Sequence, residues 1–235
     1  MNQRTYTFVF ALIVCVACSV MLSAISEGLR PKQELNADLE VKKNILKAVG
    51  EHVPAKANPQ DVLKLYESKI EELVIDDQGN VVADKKAKNL TEDDKNLFPL
   101  YIYKEGDQVL AYCYPVSGYG LWSMLYGYLA MEADGATIRG ITFYKHGETP
   151  GLGAEIESAW FQDNFKGKKI WSAKENKLEP IHVVKGKVSN LYQDERADHA
   201  VDGITAATLT SNGVTKLLDR WIRAYDPYFA KIRKV

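Results

Sequence analysis

The feature that most limits what this chain can become is a stretch without charge. From Tyr6 to Ile25 there are 20 residues with no Asp, Glu, Lys or Arg, and Arg4 is the only charge before Glu27. At about 1.5 Å per residue, a helix of that length spans roughly 30 Å, the thickness of a bilayer core. The chain is therefore read as a membrane segment joined to a soluble part. A cleaved signal peptide has a shorter apolar region, about 7–15 residues, before a small-x-small site. Here the run is longer, and Leu22-Ser23-Ala24 is a poor site. A lipoprotein signal ending at Cys15 or Cys18 lacks small residues at the right preceding positions. A retained transmembrane anchor is the expectation. Flanking charge does not orient it, because Arg30, Lys32, Lys42 and Lys43 oppose Arg4 with Glu27 and Glu34 among them.

All 31 acidic residues lie from Glu27 onward, and the net charge of the whole chain is −1. That balance excludes a basic nucleic-acid-binding surface as the organising feature. Three cysteines build no disulfide framework. Cys15 and Cys18 share a helix face and are read as small packing residues, while Cys113 stands alone. No metal site is expected.

The soluble part reads as α+β. Leu35, Leu39, Leu46 and Val49 predict a helix ending at Gly50. Asn58 and Pro59 start a second helix, with Val62, Tyr66, Ile70 and Leu73 as its apolar stripe. Asp76–Asn80 is a turn, and residues 84–97 are a polar excursion. Two hairpins follow, over Tyr101–Tyr103 with Val109–Pro115 and over Trp122–Met131 with Thr137–Tyr144. A Gly-rich loop leads to a short helix bearing Ile156, Ala159 and Trp160, and Ile181–Val184 is a further strand. The last helix carries Val214, Leu217, Leu218, Trp221, Ile222 and Tyr225, with Thr210 or Ser211 as its cap and Asp226-Pro227 as its stop. The expected division is an anchor at 1–29, a helical and connecting region at 30–98, and a ligand-binding domain at 99–235 with a largely antiparallel sheet flanked by helices.

Two segments carry chemistry. In His146-Gly147-Glu148-Thr149-Pro150-Gly151-Leu152-Gly153, three glycines and a proline make a tight loop whose amides can approach a flat or phosphorylated ligand. In Asp202-Gly203-Ile204-Thr205-Ala206-Ala207-Thr208-Leu209-Thr210-Ser211, hydroxyls cluster before a helix N-terminus, where amides favour a phosphate. Taken singly, each also reads as an ordinary connection or an extended cap.

Together they resemble the flavin-binding domain of the C-subunit of the sodium-translocating NADH:quinone oxidoreductase, which is shared with the G-subunit of the Rnf electron-transport complex. In that family a motif Asp-Gly-x-[Ser/Thr]-Gly-Ala-Thr carries FMN through a phosphoester to its final threonine. The matching stretch is Asp202 to Thr208, so the resemblance implies Thr208 as the attachment residue. The family's usual glycine is Ala206 here, a small change unless that position needs a positive φ. The stretches Gly118–Met124, Gly140–Tyr144, Glu148–Gly153, Val183–Gly186 and Thr208–Val214 follow in the family's order. Gly-Leu-Trp-Ser and Gly-Glu-Thr-Pro-Gly-Leu-Gly favour the quinone-reductase form over the Rnf form, which stays the alternative.

The resemblance implies that Glu148, Thr149, Gly151, Leu152 and Gly153 lie against the isoalloxazine ring. Trp122 and Ser123 are implied neighbours, with core packing the rival reading for Trp122. Lys185 offsets phosphate or flavin charge, or is a solvated strand end. Asp202, Thr205, Ala206 and Ala207 complete the motif, and no residue of the chain is itself catalytic. A separate flavin transferase installs the FMN, and Asp202 belongs to what it recognises. The implied role is electron relay in a bacterial inner-membrane complex that oxidises NADH on another subunit, reduces quinone and moves Na⁺. The other membrane subunits are its partners, and the soluble domain lies on the periplasmic side. His199, nine residues before Thr208, is read as an exposed loop histidine.

Overall fold

The structure is a computed structural model that describes residues 3–54, 56–91, 93–172 and 174–233. The chain divides into two compact units, Met1–Val41 and Lys42–Val235. The first is occupied by α1, a helix over Gln3–Ala48 whose last turns belong to the second unit. Its apolar window reaches a mean hydropathy of 2.8, long and apolar enough to cross a membrane. Phe8, Leu12, Ile13, Met21 and Leu22 are all exposed. Within this stretch the hydroxyls of Thr7 and Ser19 donate back to the carbonyls of Gln3 and Cys15, at 3.0 and 2.8 Å, so neither needs water.

In the second unit, α1 ends as its sequence predicts. Gly50 takes φ +87, the Gly50 N–H donates to Lys47 O and the Glu51 N–H to Leu46 O, which makes a Schellman motif. Arg139 Nε caps the Val49 carbonyl at 2.6 Å. A Cβ on Gly140 would lie 2.6 Å from Ala48 O, so only glycine lets this helix end approach so closely. Next comes α2 (Pro59–Lys69), capped by the Asn58 side chain on Gln60 N–H at 3.1 Å.

Five strands follow as one antiparallel meander: β1 (Ile70–Asp76), β2 (Leu97–Glu105), β3 (Gln108–Tyr119), β4 (Met124–Glu132) and β5 (Ile138–Lys145), in the order β1-β2-β3-β4-β5. The chain then forms α3 (Ala159–Asp163), β6 (Trp171–Ser172) paired with β7 (Lys177–Leu178), β8 (His182–Val183), α4 (Val188–Leu191) and β9 (Ala200–Val201). β8 and β9 pair in parallel, and α5 (Thr208–Arg233) follows. Residues alternate along the sheet, so Tyr112, Tyr114 and Val116 enter the core under α5 while Ala111 and Cys113 are buried on the other face. Tyr225 stacks on Tyr114 at 4.0 Å and donates to Pro99 O, and Trp221 Nε1 donates to Ser117 O, both at 2.7 Å.

Four expectations need correction. Ile70 and Leu73 do not extend α2, because they pair with Tyr103 and Leu100 in β1. Trp122 and Ser123 precede β4 in a tight connection closed by Gly120 N–H on Ser123 O at 2.8 Å. Thr210 and Ser211 lie inside α5, which starts at Thr208. Asp226-Pro227 does not stop α5, which runs on to Arg233. Proline forfeits one intrahelical bond there. Burying Phe229 against Tyr112 and Tyr114, together with the Lys231 bond to Gly79 O and the Arg233–Asp226 ion pair, outweighs that loss.

Candidate functional site

The N-terminus of α5 meets two loops. One is the β3–β4 connection, and the other is the segment after β5 that holds Glu148. Glycines make the meeting possible. A Cβ on Gly213 would collide with Tyr119 O, and one on Gly203 with Val184 O. At Gly120 and Gly153 a Cβ would press to 2.6 and 2.8 Å from the Glu148 carboxylate.

That carboxylate is the hub. Glu148 is only 5% exposed, and it accepts from Thr210 Oγ1 at 2.6 Å, Trp122 N–H at 2.9 Å and Leu121 N–H at 3.2 Å, with a longer contact to Ser123 N–H. Burial alone would push its pKa up. The Thr210 hydroxyl and the three amides outweigh that and hold the carboxyl below its ordinary value. Glu148 N–H donates to His146 Nδ1, and Gly147 N–H to Ser123 Oγ, which completes the weave. Glu148 thus directs its charge into the protein, tying Leu121–Ser123 to the first turn of α5.

Two hollows flank the turn before α5. The larger, about 270 Å³, is lined by Val183–Gly186, by Gly203–Ala206 and by Thr208, Ser211 and Asn212. The smaller, about 180 Å³, lies between Leu121-Trp122, the residues Glu148, Thr149, Leu152 and Gly153, and Ala206, Ala207 and Thr210. The structure therefore gathers Thr208, Thr205, Ala206, Ala207, Trp122, Glu148, Thr149, Leu152, Gly153 and Lys185 around one turn. Gly151, at φ +74, and Ser123 shape the loops without lining either hollow. Asp202 Oδ1 accepts Val188 N–H at 2.8 Å, which fastens the Val183–Val188 segment to the motif.

Trp122 is 70% exposed, which overturns core packing as its role. His199 is buried rather than exposed, with Nδ1 2.6 Å from Lys169 O. Sequence reasoning missed three contributors: Thr210 as the partner of Glu148, Ser211 as a cleft wall, and Gly203 as the glycine that brings Val184 close. Gly203 carried a signal in its place in the motif, and Thr210 and Ser211 in the hydroxyl cluster, but their contacts were not legible from it.

The cleft fits a phosphorylated ligand. Thr208 is exposed at the start of a 26-residue helix, where unpaired amides and the helix dipole favour an anion. Lys185 lines the same cleft. Ser211 Oγ is buried at the cleft wall with no hydrogen-bond partner among the described residues, an orphan that a ligand would satisfy. Leu152 and Trp122 give the smaller hollow apolar walls suited to a flat ring.

An antiparallel sheet and a long closing helix hold the hydroxyl-bearing helix start between two hollows, and residues 120–223 of this arrangement match the family described as an FMN-binding domain. The C-subunit of the Na(+)-translocating NADH-quinone reductase of Vibrio alginolyticus is 35% identical over 93% of this chain and 91% of that protein. The same subunit of Pseudomonas aeruginosa is 32% identical over 99% and 97%. The crystal structure of its Parabacteroides distasonis counterpart superposes with a TM-score of 0.73 at 29% identity, covering 86% of this chain and 96% of that one. Shewanella oneidensis NqrC gives 0.71 at 25% identity, covering 83% and 97%. The chain belongs to the C-subunit family of Na(+)-translocating NADH-quinone reductases.

Proposed function

We propose that this chain is an electron-carrying subunit of a Na⁺-translocating NADH:quinone reductase and bears FMN through a phosphoester to Thr208. The observation that supports this most is the cleft at Thr208, where an exposed hydroxyl, a helix N-terminus, Lys185 and the unpartnered Ser211 hydroxyl converge. FMN bound there supplies reversible electron transfer, while the chain supplies position and electrostatics. Thr208 is the tether, and the α5 amides with Lys185 balance the phosphate charge. Leu152 and Trp122 flank the ring, and Thr149 closes that wall, its carbonyl accepting the Leu152 and Ala154 N–H groups at 3.1 Å. Glu148 fixes the loops around the ring, and as an ionised carboxylate lining the smaller hollow it disfavours an anionic flavin.

On this reading the residues 1–29 anchor holds the domain to the bacterial inner membrane, with the soluble part on the periplasmic side. Residues 30–98 connect the anchor to the FMN domain at 99–235. A separate flavin transferase performs the attachment, since no His, Asp or Glu is among the described residues that line the Thr208 cleft. NADH oxidation belongs to another subunit, and the remaining membrane subunits deliver and receive the electrons.

Intact-mass measurement and peptide mapping across residues 198–216 test the reading, in cells that contain the transferase. A flavin phosphate adduct on the Thr208 peptide, lost in Thr208→Ala, is the expected result. An unmodified peptide overturns it. Protease added outside spheroplasts should remove the soluble part if the orientation is correct.

A further inference from the structure

Ala206 holds a backbone conformation that alanine disfavours. Its φ is +59, and among the described residues only Asn176 shares a positive φ without being glycine. Asparagine tolerates that region through its short polar side chain, whereas alanine has no such compensation. The strain has a local cause. Ala207 N–H donates to Ile204 O at 3.2 Å, closing a four-residue turn in which Ala206 is third. Thr205 has no positive φ, so this is the turn class that wants glycine or asparagine at its third position.

Core packing does not account for the Ala206 methyl. Ala206 is exposed, while its neighbour Ala207 is buried in the core cluster. What distinguishes Ala206 is position: among the described residues it alone lines both hollows. Ala206 therefore stands at their junction, two residues before Thr208. Strain of this kind persists where the surroundings or a ligand use the geometry.

We propose that the Ala206 methyl is a positioning group for the flavin. It fills the corner between the two hollows and limits how a group tethered at Thr208 can lie across them. Glycine would relax the turn and leave that corner empty. The inference rests on the reading of Thr208 as the attachment site.

The test uses the full chain in detergent, produced with a flavin transferase, as wild type, Ala206→Gly and Ala206→Ser. Serine keeps Cβ and glycine removes it. Peptide mapping first establishes the adduct on Thr208 in each protein. Ala206→Gly should raise the melting temperature by about 1–3 °C as the strained φ is relieved. It should also lower the induced circular dichroism of the flavin, because the ring is held more loosely. Ala206→Ser should keep the wild-type spectrum. This pairing separates a contact from a purely structural role, which would move the melting temperature alone. A glycine variant whose flavin spectrum and fluorescence anisotropy equal those of the wild type overturns the inference and leaves the attachment reading standing. A wild-type Thr208 peptide without flavin overturns both.

Discussion

Removing the Glu148 carboxylate gives the sharpest test of how the site is held. Its oxygens receive the Thr210 hydroxyl and the amides of Leu121 and Trp122 in a buried setting. Hydrogen bonds to a charged group contribute about 1.5–3 kcal/mol each, though members of one network do not add. Glu148→Ala leaves those donors unpaired, and we expect a loss of about 3 kcal/mol. Glu148→Gln keeps the shape but turns an NH₂ toward one set of donors, for a loss of about 2 kcal/mol. For a domain of this size these correspond to about 6–12 °C and 4–8 °C in Tm. The pH dependence has a fixed sign. The folded carboxyl titrates below its ordinary value of 4.5, so its contribution is complete above that pH and is lost as pH falls through the folded value. The gap between wild type and Glu148→Gln should therefore be widest near neutrality and close under acid. Urea unfolding of the full chain in detergent at several pH values, followed by circular dichroism and tryptophan emission, measures it. A Gln variant as stable as wild type from about pH 7 down to about pH 3 would refute the hub.

Other outcomes follow from the same contacts. Gly203→Ala forces a Cβ into Val184 O, so it should both destabilise the domain and abolish flavin loading, read by thermal melts and mass. Phe229→Ala should cost about 3–5 kcal/mol in unfolding titrations, because the ring is fully buried beyond Pro227. Arg139→Ala removes the cap on Val49 O, and hydrogen exchange should accelerate at Val49–Glu51 while the flavin spectrum stays unchanged. Cys113 is fully buried and burial pushes its thiol pKa well up, so thiol reagents should modify it only after denaturant is added.

Local signals translated well into structure. Gly50 ends α1, and Asn58-Pro59 starts α2, because capping is settled within a few residues. Ile70 misleads because apolar spacing of three and four fits a helix as readily as a short strand. Its pairing with Tyr103 decides the matter from far along the chain. Pro227 misleads for the same reason, since the contacts that carry α5 past it come from Tyr112 and Gly79. At the site, motif and loop were legible as separate pieces. Their junction was not, because Glu148 finds partners 25–62 residues away on either side. Nor was the exposure of Trp122, which a tight connection lifts out of the core. The positive φ of Ala206 comes from a turn whose type the sequence left open.

The order in which these pieces leave the ribosome has a consequence of its own. All five strands of the meander precede α5, yet α5 buries the inner face of β3 and carries Thr208 at its start. At roughly 5–20 residues per second, the sheet is made seconds before its cover arrives. Through that interval Tyr112, Tyr114 and Val116 face solvent or a chaperone, and the pocket for the cofactor does not yet exist. The same helix that shields the nascent sheet also presents Thr208. With the flavin on Thr208 as proposed, loading is a late event in the life of each molecule and reports that the domain beneath it has closed.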